Sequence, residues 1–282
     1  GIYLQDQIAL DNWRFTLGGR YDWVNIDNAN RDSGDTSSLS DTQFSGRAGV
    51  VYLFDNGVAP YLSYSTAFTP TSFVDESGDL LQPMEGEQWE TGVKYQPNGS
   101  TSQYSAALFH ISQENVATKE QPTDPYRAVG EIESQGLELE AQTQLTDTLS
   151  VQAGYSFTDI TYVKSDDGNQ GNNAIYSPRH QVQIWGHYEA NKGWLNGVDM
   201  GVGVRHYADI AADRANTETV PDYTLVDATI GYDLSQLGVD GVETRLNVNN
   251  LLDKEYVASC NSLEYCYFGA ERGVTASVHY RF

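Results

Sequence analysis

The chain has few cations and no long apolar segment. Its 282 residues carry 16 Lys and Arg against 39 Asp and Glu, which gives a formal net charge of -23. This balance argues against nucleic-acid binding, because contacts with a phosphate backbone need a basic surface. The lack of a long apolar run excludes a transmembrane helix. It does not exclude a membrane β-barrel, in which only alternate residues of each strand face lipid.

Cysteine and histidine are also scarce. The two cysteines, Cys260 and Cys266, lie close together near the end of the chain. Such a near pair indicates one local disulfide formed in an oxidising compartment, with two free thiols as the alternative. The five histidines are scattered without metal-ligand spacing: His110, His180, His187, His206 and His279. The sequence therefore predicts no metal site and no resident cofactor.

Apolar and polar residues alternate along most of the chain. From Val274 to Phe282 the even positions are apolar or aromatic, whereas the odd positions are polar. The same pattern holds in segments 137–144, 149–158, 198–205 and 242–249. A period of two is typical of strands, and no helical apolar stripe offers these faces a core. The pattern predicts an all-β transmembrane antiparallel barrel rather than a soluble β-sandwich, which would show polar outward faces on at least one sheet.

The connectors alternate between short and long. The short ones, at 11–12, 55–57, 97–99 and 146–147, contain the Asp, Asn and Gly residues that tight hairpins favour. Long polar connectors are predicted at 28–42, 69–86, 114–130, 164–178, 209–222 and 251–269. Aromatic residues beside the short turns predict an interfacial girdle: Tyr52, Phe54, Tyr95, Tyr188, Tyr232, Tyr280 and Phe282. This arrangement is typical of an outer-membrane barrel whose long loops lie outside the cell.

About thirteen strands are predicted, although single-chain bacterial barrels normally have an even number. The chain also opens within a strand pattern, and it has neither an initiator Met nor a signal peptide. We therefore expect residues 1–282 to be the C-terminal part of a longer protein.

Several segments together resemble TonB-dependent siderophore receptors of the ferrichrome and hydroxamate type. They are 61–70 (YLSYSTAFTP), 86–95 (GEQWETGVKY), 130–140 (GEIESQGLELE), 247–256 (NVNNLLDKEY), and 258–272 with its two cysteines and GAER ending. The resemblance covers essentially the whole chain. It implies a 22-stranded barrel filled by an N-terminal plug domain, of which this chain would hold about the last thirteen strands, without the plug.

The resemblance also implies a function and a set of partners. A ferric siderophore would be captured at the outer membrane of a Gram-negative bacterium and imported with energy from the TonB complex, which would contact the missing N-terminal region. Further partners would be the protein's own plug domain, outer-membrane lipid and lipopolysaccharide. The chelate would be transported cargo, so no cofactor is implied.

A ferric siderophore brings its own iron ligands, so its receptor needs a concave aromatic site with a few polar groups. The candidate ligand-binding residues are Tyr265, Tyr267 and Phe268 beside Cys266, Phe68 and Phe73 at the second long connector, Tyr126 in the third, and Tyr176 in the fourth. The resemblance implies that the final loop of the chain, which carries Tyr265, Tyr267 and Phe268, contributes to the siderophore pocket. The alternative for each residue is packing within its loop or in the girdle.

Other functions and roles stay open at this point. A passive porin, an autotransporter pore and a TonB-dependent receptor for another cargo are the competing readings. A lipase or protease barrel needs a Ser or Asp–His constellation that the sequence does not show, so no enzyme and no catalytic residue is predicted. Charges on the predicted inner faces would pair with the plug or with each other: Arg47, Glu90, Lys94, Glu138, Glu140, Arg205, Glu243, Arg245 and Arg281. Segment 166–172 is interpreted as an acidic loop tip, because it lacks the twelfth-position Glu of a calcium loop.

Overall fold

The computed structural model describes residues 1–29, 31, 34, 36–118, 124–128, 130–165 and 169–282. Part of the acidic tip predicted at 166–172 lies outside the described residues. Within the described ranges, no helix is long and apolar enough to cross a membrane.

The described residues form strands almost throughout. In chain order these are β1 (Ile2–Leu10), β2 (Trp13–Ala29), β3 (Thr36–Tyr52), β4 (Val58–Thr69), β5 (Met84–Tyr95), β6 (Gln103–Glu114), β7 (Ala117–Thr118), β8 (Arg127–Ala128), β9 (Glu131–Thr146), β10 (Leu149–Lys164), β11 (Pro178–Glu189), β12 (Val198–Ala211), β13 (Thr219–Val220), β14 (Tyr223–Asp233), β15 (Val242–Asn249), β16 (Val257–Ser262), β17 (Tyr265–Phe268) and β18 (Gly273–Tyr280). Two short 3-10 helices, Gly193–Leu195 and Leu234–Leu237, occupy the turns before β12 and β15.

Thirteen of these strands form one path in which consecutive strands pair. The path runs β1-β2-β3-β4-β5-β6-β9-β10-β11-β12-β14-β15-β18, and β13 adds a two-residue pairing to β12. The pairs β7–β8 and β16–β17 form separate two-stranded sheets. The predicted antiparallel all-β fold with about thirteen main strands is confirmed.

The predicted long connectors are partly strand. Segment 28–42 was predicted as a loop, but β2 and β3 run 17 residues each and pair as far as Ala29 with Thr36. A membrane strand needs only about 10 residues, so strands of this length extend well past the bilayer. Water on both faces there removes the apolar alternation that marks a strand in the sequence. The last connector, 251–269, likewise contains the β16–β17 hairpin.

The chain divides into two compact units. Unit 1 contains Gly1–Lys94, Ala107–Gly136 and Asp159–Ala174, and unit 2 contains Tyr95–Ala106, Leu137–Thr158 and Ile175–Phe282. In unit 1, the Tyr52 ring lies between those of Trp13 and Phe54, with centroid distances of 4.8 Å to Trp13 and 4.7 Å to Phe54. They lie beside the short turns at Asp11 and Gly57, whose φ angles of 48° and 87° permit tight reversal. The ring cluster lies where the sequence predicts a girdle.

In unit 2, the two faces of the sheet differ in chemistry. Ile184, Val204 and Val226 are register partners across β11, β12 and β14 and lie on an apolar face. Ile184 and Val204 are exposed. On the opposite face, the Trp185 ring lies flat against Gly201 and Gly203, where a Cβ atom would overlap the ring. The two glycines therefore leave the space that the Trp185 indole occupies.

Candidate functional site

A buried core in unit 2 supports the end of the sheet where the long loops emerge. Ile210 is 1% exposed and packs with Val220, Tyr223 and Leu225 from β12, β13 and β14. Ala212 and the β16 residue Cys260, which is 3% exposed, complete this cluster of buried residues. Burial of these side chains fixes the hairpin to the sheet, because each large apolar side chain contributes about 1.5–3 kcal/mol when removed from water.

Cys260 and Cys266 face each other across the β16–β17 hairpin and form a disulfide. Cys260 is buried, whereas every residue of β17 is exposed. The bridge therefore ties the exposed strand to the core beneath it.

Three of the predicted ligand residues, Tyr265, Tyr267 and Phe268, lie on this hairpin, and a fourth, Tyr176, reaches it from the loop before β11. Tyr265 and Tyr267 lie in an edge-to-face arrangement with ring centroids 5.3 Å apart, and Tyr176 approaches Tyr267 at 6.3 Å. Phe268 follows on the same strand and is 80% exposed. Burial raises the pKa of the Tyr176 hydroxyl, and the neighbouring Tyr267 adds to the effect. The phenol thus stays protonated at neutral pH.

The remaining three predicted residues lie in unit 1, and two of them form a second, smaller group. The rings of Phe73 and Tyr126 stack with centroids 4.0 Å apart and an interplanar angle of 21°. Phe68 belongs to neither group. It lies near the end of β4, at the same strand parity as the exposed Leu62.

A hydrogen-bonded network that the sequence did not reveal holds the base of the final loop, residues 250–272. Asp227 of β14 is 8% exposed and accepts two hydrogen bonds from the Arg205 guanidinium, at 2.6 and 3.0 Å. The same carboxylate accepts the backbone N–H of Asn250 at 2.9 Å. One buried acid thus connects β12, β14 and the start of the final loop.

Asn250 then joins the two ends of that loop. Its φ of 49° places the backbone in the left-handed region, and its side chain is buried. The amide group donates to the carbonyls of Lys254 and Ala270, at 2.9 and 3.2 Å, while its oxygen accepts the Lys254 N–H at 2.8 Å. Arg272 adds a second tie through Asp253, with hydrogen bonds of 3.0 and 3.1 Å. We call Arg205, Asp227, Asn250, Asp253 and Arg272 the loop-base network.

A cavity of about 730 Å³ lies against the loop-base network on the polar face of unit 2. Its lining includes Trp185, His187, Arg245, Asn249, Tyr256 and Glu271. Within the described ranges, no group of three His, Cys, Asp or Glu side chains comes together as metal ligands. The side chains that line the cavity are suited to polar and aromatic contacts.

Comparison with known proteins places this geometry in a family. Residues 1–251 match the model described as TonB dependent receptor-like, beta-barrel. The chain belongs to the TonB-dependent receptor β-barrel family. It is a protein of the Gram-negative outer membrane.

Several receptors resemble the chain closely. It is 57% identical over 282 residues to the ferrioxamine B receptor of Salmonella typhimurium LT2, covering 100% of the chain and 40% of that protein. It is 46% identical over 284 residues to the ferrioxamine receptor of Yersinia enterocolitica, covering 100% of the chain and 39% of that protein. Identity is 40% over 284 residues with the ferrichrome outer membrane transporter/phage receptor of Escherichia coli K12, again covering 100% of the chain and 38% of that protein. The receptor chain thus spans about two fifths of the length of these relatives.

Solved structures agree on the fold. The siderophore receptor PiuA from Acinetobacter baumannii superposes with a TM-score of 0.79 at 25% identity, covering 99% of the chain and 42% of PiuA. The unliganded ferric citrate transporter FecA gives a TM-score of 0.81 at 23% identity, covering 99% of the chain and 44% of FecA. The second likeness concerns the fold alone.

In a barrel of this family, the apolar face of each strand contacts lipid and the polar face lines the lumen. Several of the predicted lumen charges pair along the wall of unit 2. Arg205 binds Asp227, Arg245 lies 2.9 Å from Asp199, and Arg281 lies 3.3 Å from Glu243. These three pairs join separate segments of the wall.

Proposed function

We propose that this chain is the C-terminal part of the barrel of a receptor that binds a ferric hydroxamate siderophore outside the cell. Import would then be energised by the TonB complex. The observation that carries the proposal is a disulfide-held hairpin that exposes Tyr265, Tyr267 and Phe268, with Tyr176 of another loop beside Tyr267. The names of the relatives in Salmonella and Yersinia, both receptors for ferrioxamines, support the hydroxamate class.

The aromatic group suits such a ligand in chemical terms. A ferric hydroxamate encloses its iron in oxygen atoms and presents aliphatic chains and amide groups outward. Aromatic faces bind the chains, and the tyrosine hydroxyls of Tyr176, Tyr265 and Tyr267 can donate hydrogen bonds to carbonyl oxygens. Because the hairpin is held in advance by the disulfide and the core, less conformational entropy is lost on binding.

The proposal includes partners beyond this chain. A plug domain would occupy the lumen, the TonB complex would contact a region outside residues 1–282, and lipid and lipopolysaccharide would surround the barrel. The chelate is cargo, and we propose no resident cofactor and no catalytic activity.

Iron uptake by the full-length receptor tests the function. The gene is expressed in an iron-starved Gram-negative host that lacks its own receptors, and radioactive iron is supplied as ferrioxamine, ferrichrome or a ferric catecholate. Uptake of a hydroxamate that requires active TonB is the expected result. Equal uptake without TonB would indicate a passive pore. Failure to take up all three chelates by correctly inserted protein would assign the receptor to another cargo.

A further inference from the structure

The final loop is fixed at two places that differ in kind. The disulfide joins β16 to β17 within the hairpin, while the loop-base network joins the ends of the loop to each other and to β14. A disulfide inside the hairpin cannot set the direction in which the hairpin leaves the sheet. That direction depends on the core contact of Cys260 and on the residues at the base.

We propose that Asp227 and Asn250 are positioning residues of the receptor, which set the pose of the aromatic hairpin from below. Neither side chain belongs to the exposed aromatic group. Their effect would pass through the loop backbone: Asn250 binds the carbonyls of Lys254 and Ala270, which flank the hairpin on both sides.

The chemistry of Asp227 suits this role. Its two oxygens accept three hydrogen bonds, all from Arg205 and the Asn250 backbone. An amide in the same place would turn one acceptor oxygen into a donor NH2 group, which would face another donor. Because the group is buried, water cannot restore the lost bond at low cost.

The Tyr256 ring extends the network towards the hairpin. Tyr256 lies directly before β16, and its ring packs at a tilt of 35° against the buried Tyr223, with centroids 4.4 Å apart. The same ring covers Gly269 and fills the position that a Cβ atom would take there. The Gly269 N–H donates to the Tyr256 carbonyl at 2.9 Å. The chain thus enters and leaves the hairpin side by side, and any movement of the base displaces both strands together.

Asn250→Gly is the sharpest test. Glycine tolerates the positive φ at this position, so the backbone is kept while the amide bonds to Lys254 and Ala270 are deleted. Asn115→Gly is the matched control. Asn115 has a φ of 59° and an amide bond to the Pro83 carbonyl at 3.0 Å, but it lies in unit 1. Asp227→Asn, with Asp199→Asn as its control on the lumen wall, provides a second pair.

Two readouts are made on the full-length receptor. The first is hydrogen–deuterium exchange of residues 256–270 without ligand, which we expect to accelerate about tenfold in Asn250→Gly and Asp227→Asn and to stay unchanged in both controls. The second is affinity for ferrioxamine, which we expect to fall about tenfold while the uptake rate at saturating chelate is kept. The ligand readout rests on the proposed function, whereas the exchange readout does not.

The outcomes are distinct. Unchanged exchange in Asn250→Gly would overturn the inference. Faster exchange without loss of affinity, in a receptor that binds ferrioxamine, would also overturn it, because the pose of the hairpin would then not matter to the ligand. If the wild-type receptor binds none of the chelates, the proposed function fails, and the exchange result alone decides whether the network holds the hairpin.

Discussion

The two aromatic groups of the receptor chain are held in different ways. In unit 2, the hairpin that carries Tyr265, Tyr267 and Phe268 has a disulfide, a buried core contact and a hydrogen-bonded base. In unit 1, the rings of Phe73 and Tyr126 stack at 4.0 Å, and the Phe73 segment is held by hydrogen bonds, including the bridge of Val74 with Leu80 and the Leu81 N–H to the Phe73 carbonyl at 2.9 Å. The difference teaches that aromatic content alone does not make a binding site. What distinguishes unit 2 is a covalent bridge within the hairpin that carries the exposed rings.

The largest effect is expected from removing the rings of unit 2. The triple substitution Tyr265→Ala, Tyr267→Ala and Phe268→Ala should lower ferrioxamine affinity about a hundredfold, because each aromatic contact contributes about 1 kcal/mol or more. Isothermal titration of the purified full-length receptor measures the change. A decrease in affinity of less than threefold would show that the hairpin is not part of the ligand-binding site.

Opening the disulfide should have the next largest effect. Cys260→Ser with Cys266→Ser is expected to weaken ligand binding about tenfold, because the hairpin must then be ordered on binding. The barrel should remain folded, as judged by its circular dichroism and protease resistance. Loss of the barrel would instead show that the disulfide is a folding element.

The unit 1 pair offers a direct contrast. Phe73→Ala with Tyr126→Ala should lower affinity only about threefold, because fewer rings are removed and no disulfide holds their loops in advance of binding. Titration under the same conditions as the triple variant gives the comparison. An effect equal to that of the triple variant would show that rigidity does not separate the two groups.

The smallest effect concerns pH and the loop beside β13. Burial opposes ionisation of Asp213, but hydrogen bonds from the Thr217 hydroxyl and from the backbone N–H groups of Thr217, Glu218 and Ala215 outweigh it and lower the pKa of this carboxyl. A lowered pKa means that the carboxylate stabilises the folded loop above its ordinary pKa of about 4. That contribution is lost as the pH falls through the lowered value.

Exchange protection of residues 215–218 in wild type and in Asp213→Asn tests this. The wild type should be better protected at pH 7, and the difference should vanish once both side chains are neutral at low pH. A difference that is constant with pH would show that charge plays no part in the turn.

The sequence predicted the sheet well because each strand has a local signature. Alternation in segments such as 149–158 and 242–249 requires only that one face meets lipid and the other meets water. Where both faces are wet, as in β2 and β3 beyond the bilayer, the signature disappears and the prediction of a loop at 28–42 was wrong. The pairing of Ala29 with Thr36 became evident only from the register of the two strands.

The ring group was predictable in composition, while its support was not. Tyr265, Tyr267 and Phe268 could be picked out beside Cys266 because exposed aromatics next to a short disulfide loop are unusual. The role of Asp227 was hidden, because its partners Arg205 and Asn250 lie 22 and 23 residues away. A buried acid on a strand leaves no periodic mark, and the only local signal was the polar run at 247–250.

The division of the final loop into a fixed base and an exposed tip has a consequence for how such a receptor can diversify. The residues between the two cysteines, 261–265, lie outside the buried core, and the base network is built from positions before and after them. Substitutions or short insertions in this segment would change which surface meets the chelate without disturbing the wall of the barrel. Under the proposed function, a lineage can change the chelate that it recognises by altering a few codons, while the wall of the barrel is inherited unchanged.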